Sequence, residues 1–204
     1  MKEKLVLDLS EKNLMKRVFV GVSLPEGVVE SMLALQTGLR GVRLIKSENI
    51  HLTLRFVGQI HQPQLRILDS LLSNLEFEEF LIQLEGVGVF PFKGYPKTIW
   101  VGLSINQALK KLQALIEAKC RSAGVKAESR KYYPHVTLGR VKFPRQNEIN
   151  NWLQRHQTFK TKAFLLNRFI LFQSILNPGG SVYTAINDYY LAVNHELHEF
   201  NMKE

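Results

Sequence analysis

The chain has 204 residues, 45% hydrophobic and 22% charged, which excludes a disordered chain and implies one substantial domain or two small lobes sharing a core. Lys and Arg outnumber Asp and Glu by 27 to 18, and the net charge of +9 favours an anionic partner without choosing among RNA, a nucleotide and a membrane surface. The single cysteine, Cys120, excludes an internal disulfide and fits a reducing, cytoplasmic setting.

From the N-terminus, the stretch MKEKLVLDLSEKNLMKR has an Asp and a Glu within its short apolar run and does not read as a signal peptide. No apolar run approaches the roughly 18 residues that span a bilayer. The β-branched and aromatic run 18–23, VFVGVS, predicts a buried strand. Val28, Met32, Leu35 and Leu39 then fall at helical spacing, after the start signals Ser23 and Pro25. A break at Gly41 leads to a second strand, Ile50-His51-Leu52-Thr53-Leu54. Residues 64–75 predict an amphipathic helix and 80–90 a long strand.

The order then repeats. Residues 99–104, IWVGLS, echo VFVGVS. Leu109, Leu112, Ile116 and Cys120 line a helix starting at Asn106, and Gly124 breaks the chain before Pro134-His135-Val136-Thr137-Leu138. Matched points lie 81 (Gly21/Gly102), 83 (Gly41/Gly124) and 84 (His51/His135) residues apart. Such regularity implies two similar halves related by a pseudo-two-fold axis. A helix over 146–156 and strands over 162–172 and 181–186 complete an α+β protein with antiparallel sheets.

Side chains two apart on a strand share a face. His51 and Thr53 therefore lie opposite Leu52, Leu54 and Phe56, and His135 and Thr137 opposite Val136 and Leu138. With the apolar faces packed, the His/Thr faces line a cleft between the halves. One imidazole there can deprotonate water while the other protonates a leaving oxygen, and threonine hydroxyls can hold the non-bridging phosphate oxygens. Arg55 continues the polar alternation, Arg130 lies close in sequence, and Arg140 has the wrong parity unless a bulge intervenes near Gly139. A lone His-x-Thr in a strand is usually a satisfied histidine beside a residue of high β-propensity; two copies in matching slots of a repeat reverse that weighting.

The remaining candidates are weaker. His195-Glu196-Leu197-His198-Glu199 is not the H-E-x-x-H zinc motif and reads as a solvated tail, and no carboxylate or cysteine joins either His-x-Thr at metal-ligand spacing, so no metal is expected. His61 and His156 have no supporting context. Trp100, Tyr132 and Tyr133 read as core aromatics, Cys120 as a small buried residue, and 177–180 as a turn.

The paired His51-x-Thr53 and His135-x-Thr137 resemble the HxTx motifs of the two-histidine (2H) phosphoesterase superfamily. Their surroundings, SENIHLTLRFVG (47–58) and YYPHVTLGR (132–140), with Leu24-Pro25, GVGVFP (86–91) and the 178–183 turn, are similar to the RNA 2′,3′-cyclic phosphodiesterases, also called the 2′-5′ RNA ligase (LigT/ThpR) family. The likeness covers residues 15–187. It implies a bilobal fold, two pseudo-symmetric lobes each with an antiparallel sheet flanked by helices around a central cleft. It further implies cofactor-free, metal-independent hydrolysis of RNA or nucleotide 2′,3′-cyclic phosphate ends to 2′-phosphomonoesters, with His51 as proton donor and His135 as proton acceptor. Thr53 and Thr137 then hold the phosphate, Arg140 matches an arginine following the second motif, and Phe56 and Tyr132 match aromatic positions lining the cleft. Residues 1–14 form an extension by this comparison and 188–204 a polar tail. The expected protein is a cytoplasmic monomer. Ligation of tRNA halves and non-catalytic binding of RNA ends are the alternatives; intact His/Thr pairs argue against pure binding, which would more naturally use Lys, Arg and backbone amides.

Overall fold

A computed structural model describes residues 15–143, 145–178 and 180–197; the expected extension, 1–14, and His198 and Glu199 of the tail lie outside them. The chain runs β1 (Met15–Ser23), α1 (Glu26–Leu35), β2 (Val42–Leu44), a 3-10 turn at Ser47–Asn49, β3 (His51–His61), α2 (Gln62–Ser73), β4 (Phe80–Ile82), β5 (Leu84–Phe92) and β6 (Tyr95–Leu103). There follow α3 (Gln107–Ser122), β7 (His135–Val141), α4 (Gln146–His156), β8 (Phe164–Leu166), β9 (Arg168–Asn177) and β10 (Gly180–Tyr190).

The strands form two antiparallel halves, β10-β9-β1-β3 and β2-β7-β6-β5, which meet where Leu52 of β3 pairs with Val136 of β7. Both residues are fully buried, so the junction is part of the core. A small second sheet, β4 with β8, centres on Leu81 opposite Leu165. Each of these inter-lobe pairings joins residues 84 apart, the offset of the two histidines. Antiparallel pairing of equivalent residues places the pseudo-two-fold axis through both junctions. The bilobal α+β expectation holds.

The strand expected over 80–90 is broken at Gln83, which leaves the ladder to donate from Nε2 to Thr161 O at 2.6 Å. The break lets β4 pair with β8 while β5 joins the main sheet; Asn167, 84 residues later, separates β8 from β9 in the same way. Strand β10 continues through Tyr190, past the boundary expected at 187, because Tyr189 and Leu191 are buried.

The helices cross over between lobes. Helices α2 and α3 pack together and on β3, whereas α1 packs on β7 and α4 on β5. Two matching hydrogen bonds tie the pairs: Gln64 of α2 donates to Ala123 O at the end of α3, and Trp152 of α4 donates to Leu35 O at the end of α1. The faces so buried are those the periodicity predicted: Val28, Met32 and Leu35 on α1, and Leu109, Leu112, Ile116 and Cys120 on α3. Asn106 caps α3 by accepting from Leu109 N–H at 2.9 Å. Helix α1 has no side-chain cap; Pro25 occupies its N-cap. Each lobe therefore holds strands from both sequence repeats, and one continuous core runs beneath them.

Candidate active site

The Leu52–Val136 pairing builds the site. In antiparallel register it sets His51 beside Thr137 and Thr53 beside His135, all four on the face away from the two buried residues. Diagonal neighbours across such a pair lie about 7–8 Å apart, so the two imidazoles stand on one stretch of the same face. The two rings are close enough to interact: His135 contributes to lowering the His51 pKa.

Both rings are held alike. His51 Nδ1 lies 2.7 Å from Asn49 O and His135 Nδ1 lies 2.8 Å from Tyr133 O. A carbonyl only accepts, so Nδ1 carries the proton in each ring and Nε2 is turned to the site. His51 Nε2 lies 3.0 Å from Thr53 Oγ1. Burial is the main cause lowering both pKa values below 6.5; the carbonyl bonds oppose it, while His135 adds to the effect at His51 and Arg140 at His135.

Aromatic rings surround each imidazole. Phe19 and Tyr183 lie 4.9 and 5.0 Å from the His51 ring, with Phe172 stacked on Phe19 at 5.0 Å. Phe90 lies edge-on to His135 at 4.7 Å, with Trp100 and Tyr133 beyond it at 5.2 and 5.7 Å from Phe90. Sequence reasoning missed this shell and assigned Trp100 and Tyr133 to the core; Trp100 is half-buried and Tyr133 exposed. The signal was available, since Phe19 and Trp100 are the same position of the VFVGVS/IWVGLS echo. The Trp100 indole packs against Gly88, where a Cβ would meet its ring at 2.3 Å.

Two matched bulges decide which neighbours join the site. Opposite β1, Leu54 is an extra residue of β3; opposite β6, Leu138 is an extra residue of β7. Each bulge reverses the alternation beyond it. Phe56 and Arg140 consequently return to the histidine face, both exposed, and Arg140 Nη1 donates to Thr98 Oγ1 at 3.3 Å. For Arg140 this is the bulge the sequence required. The expectation for Phe56 on the apolar face is corrected.

Arg55 is also corrected: the bulge turns it away from His51 into the protein. It is 6% exposed, forms an ion pair with Glu117 of α3, and donates to Phe56 O and, at 2.6 Å, to Lys126 O. Glu117 in turn accepts from Glu128 N–H at 3.2 Å. This knot anchors the segment leading to His135. Arg130 is likewise not brought to the histidines; its exposed guanidinium is engaged by Glu128 at 2.9 Å, holding that carboxyl down at about 2. Tyr132 is half-buried and its hydroxyl donates to Thr53 O at 3.3 Å, a structural tie between the lobes.

Away from the site, Cys120 is buried and its thiol is pushed up to about 11, chiefly by burial. Among the described residues no three His, Cys, Asp or Glu side chains are grouped to hold a metal, and no helix is long and apolar enough to cross a membrane.

Comparison with known proteins gives a concordant result. RNA 2′,3′-cyclic phosphodiesterases of Archaeoglobus fulgidus and Methanocaldococcus jannaschii are 32% and 29% identical to this chain, covering 82% and 85% of it and 96% and 99% of their own lengths. A crystal structure of a Thermus thermophilus protein, 26% identical, matches with a TM-score of 0.72 over 88% of this chain and all of the other. E. coli LigT crystallised with 3′-AMP shares the fold at 19% identity, with a TM-score of 0.75 over 88% of this chain and 99% of that one. The family described as LigT like Phosphoesterase matches twice in tandem, over residues 22–100 and 101–183, and the chain belongs to that family.

Proposed function

We propose that the protein hydrolyses terminal 2′,3′-cyclic phosphates of RNA or nucleotides to 2′-phosphomonoesters, with His135 as proton acceptor and His51 as proton donor. The observation that supports this reading is the pairing of Leu52 with Val136, whose register puts His51, Thr53, His135 and Thr137 on one face. Relatives named RNA 2′,3′-cyclic phosphodiesterase along nearly their whole lengths support the substrate class.

In the reaction a water oxygen attacks phosphorus while its proton passes to His135 Nε2. The P–O3′ bond breaks and His51 Nε2–H delivers its proton to O3′, leaving a 2′-phosphate and a free 3′-hydroxyl. Thr53 and Thr137 donate to the non-bridging oxygens as phosphorus becomes five-coordinate, and Arg140 supplies positive charge. The aromatic surroundings lower the local dielectric and strengthen these bonds. Phe56, exposed on the same face, contacts the nucleoside. No step needs a metal. Residues 15–187 act as one bilobal unit, as a monomer in the cytoplasm.

Incubation with each of the four 2′,3′-cyclic nucleotides in EDTA, followed by identification of the monoester isomer, tests the proposal. The 2′-phosphate is the expected product. Absence of turnover on all four, or full activity in both His51→Ala and His135→Ala, refutes it.

A further inference from the structure

The face that carries His135 does not end at the site. Directly paired residues on antiparallel strands share a face, and the register runs from His135 opposite Gly102, through Trp100 opposite Gly88 and Phe90 opposite Thr98, to Phe92 opposite Tyr95 at the hairpin tip. Phe92 and Tyr95 are 61% and 64% exposed. A scattered exposed apolar residue needs no explanation. A cross-strand aromatic pair in line with a reactive histidine does.

The turn joining this pair is unusual. Lys93 (φ 51°) and Gly94 (φ 81°) form its two central residues, and Lys93 is the one non-glycine residue with positive φ among the described residues. Turns of this hand favour Asn or Gly at the first position, and a lysine there strains the backbone. Lys93 Nζ lies 5.6 Å from the Phe92 ring centre. The matching β9–β10 hairpin differs: residues 173–187 contain no Lys or Arg, and its exposed residues include the aliphatic Leu176 and Val182.

We propose that the β5–β6 hairpin tip binds the single-stranded RNA that precedes the cyclic phosphate, a base stacking on Phe92 and Tyr95 while Lys93 neutralises a backbone phosphate. Stacking accepts any base, and lysine reads phosphate rather than sequence. The surface therefore selects oligonucleotide ends over mononucleotides with little regard to sequence. The inference rests on the cyclic-phosphate reading above and deepens it.

The test compares kcat/KM of the full chain on a 2′,3′-cyclic mononucleotide and on a short single-stranded oligoribonucleotide ending in the same nucleotide. The protein should prefer the oligonucleotide, and Phe92→Ala/Tyr95→Ala should lower oligonucleotide kcat/KM about tenfold or more while the mononucleotide value holds. Lys93→Asn should maintain or raise Tm, since it relieves the strained φ, yet flatten the log–log salt dependence of oligonucleotide use by about 0.7. Leu176→Ser on the opposite hairpin should change neither substrate. An unchanged oligonucleotide preference in the aromatic double variant, a parallel fall in mononucleotide turnover, or a loss caused by Leu176→Ser overturns the proposal. If the wild type turns over neither substrate, the cyclic-phosphate reading fails instead; oligonucleotide affinity by fluorescence anisotropy, weakened or not in the double variant, then decides the surface independently.

Discussion

The two lobes present the same histidine, threonine and bulge from equivalent strands, yet the residues placed by each bulge differ. After Leu54 the first lobe buries Arg55 and exposes Phe56; after Leu138 the second buries Gly139 and exposes Arg140. Each lobe thus has one arginine near its motif, but one is committed to the fold and the other to the site. Gly139 cannot be enlarged, since a Cβ there would meet Val42 at 2.5 Å, whereas α3 brings Glu117 to the equivalent position and creates room for a charge. Near-identical backbone geometry is thereby divided between an exposed ring beside His51 and an exposed cation beside His135.

The two histidines carry the largest effects when removed one at a time. His51→Ala and His135→Ala should each cost about 10²–10⁴ in kcat with circular dichroism unchanged. They should separate on a phosphodiester with a nitrophenolate leaving group, which needs no acid. Activity lost in His51→Ala should largely return there, and that of His135→Ala should not; equal recovery in both would dissolve the donor–acceptor distinction.

Next in size is the contrast between the arginines. Arg55→Ala leaves Glu117 facing the interior without its partner and should destabilise the fold toward the lower end of roughly 3–5 kcal/mol, because Glu117 keeps some access to solvent; urea denaturation reads this. Arg140→Gln should leave the denaturation midpoint in place but cost about 1.5–3 kcal/mol of substrate interaction, read as a loss in kcat/KM.

Smaller effects concern protons. Both histidines have pKa values below 6.5, so the bell-shaped kcat/KM profile of the free enzyme should centre on the acid side of 6.5. Arg140 depresses His135, so Arg140→Gln should move the acid limb, which reports deprotonation of the acceptor, to higher pH. Linkage gives the last effect. A histidine whose folded pKa lies below its unfolded value resists protonation, so its contribution to stability is complete above 6.5 and is lost as pH falls through the folded pKa. Denaturation midpoints should therefore drop on acidification from 6.5, and less so in His51→Asn.

Much of this was legible in the residues. The repeat offset located the axis, the alternation around His51 and His135 assigned Leu52 and Val136 to the core, and the helical spacing named the buried residues of α1 and α3. What escaped depends on pairing between distant strands. Alternation alone gives Arg55 to the cleft and Phe56 to the core, and only the register with β1 reveals the extra residue that exchanges them. The break at Gln83 is invisible for the same reason, being set by a partner strand that lies 84 residues away. The aromatic shell was misassigned because a ring flanking an imidazole and a ring in the interior share one composition.

The crossing of the helices has a consequence for the molecule as a whole. Strand β3 receives its cover from α2 and α3, and β7 and β5 from α1 and α4, so a fragment holding one repeat would expose apolar faces whose natural lids belong to the other. Such a fragment could close its interior only by interleaving with a second copy. The present chain is that intertwined dimer tied end to end, and its lobes are bound to melt together.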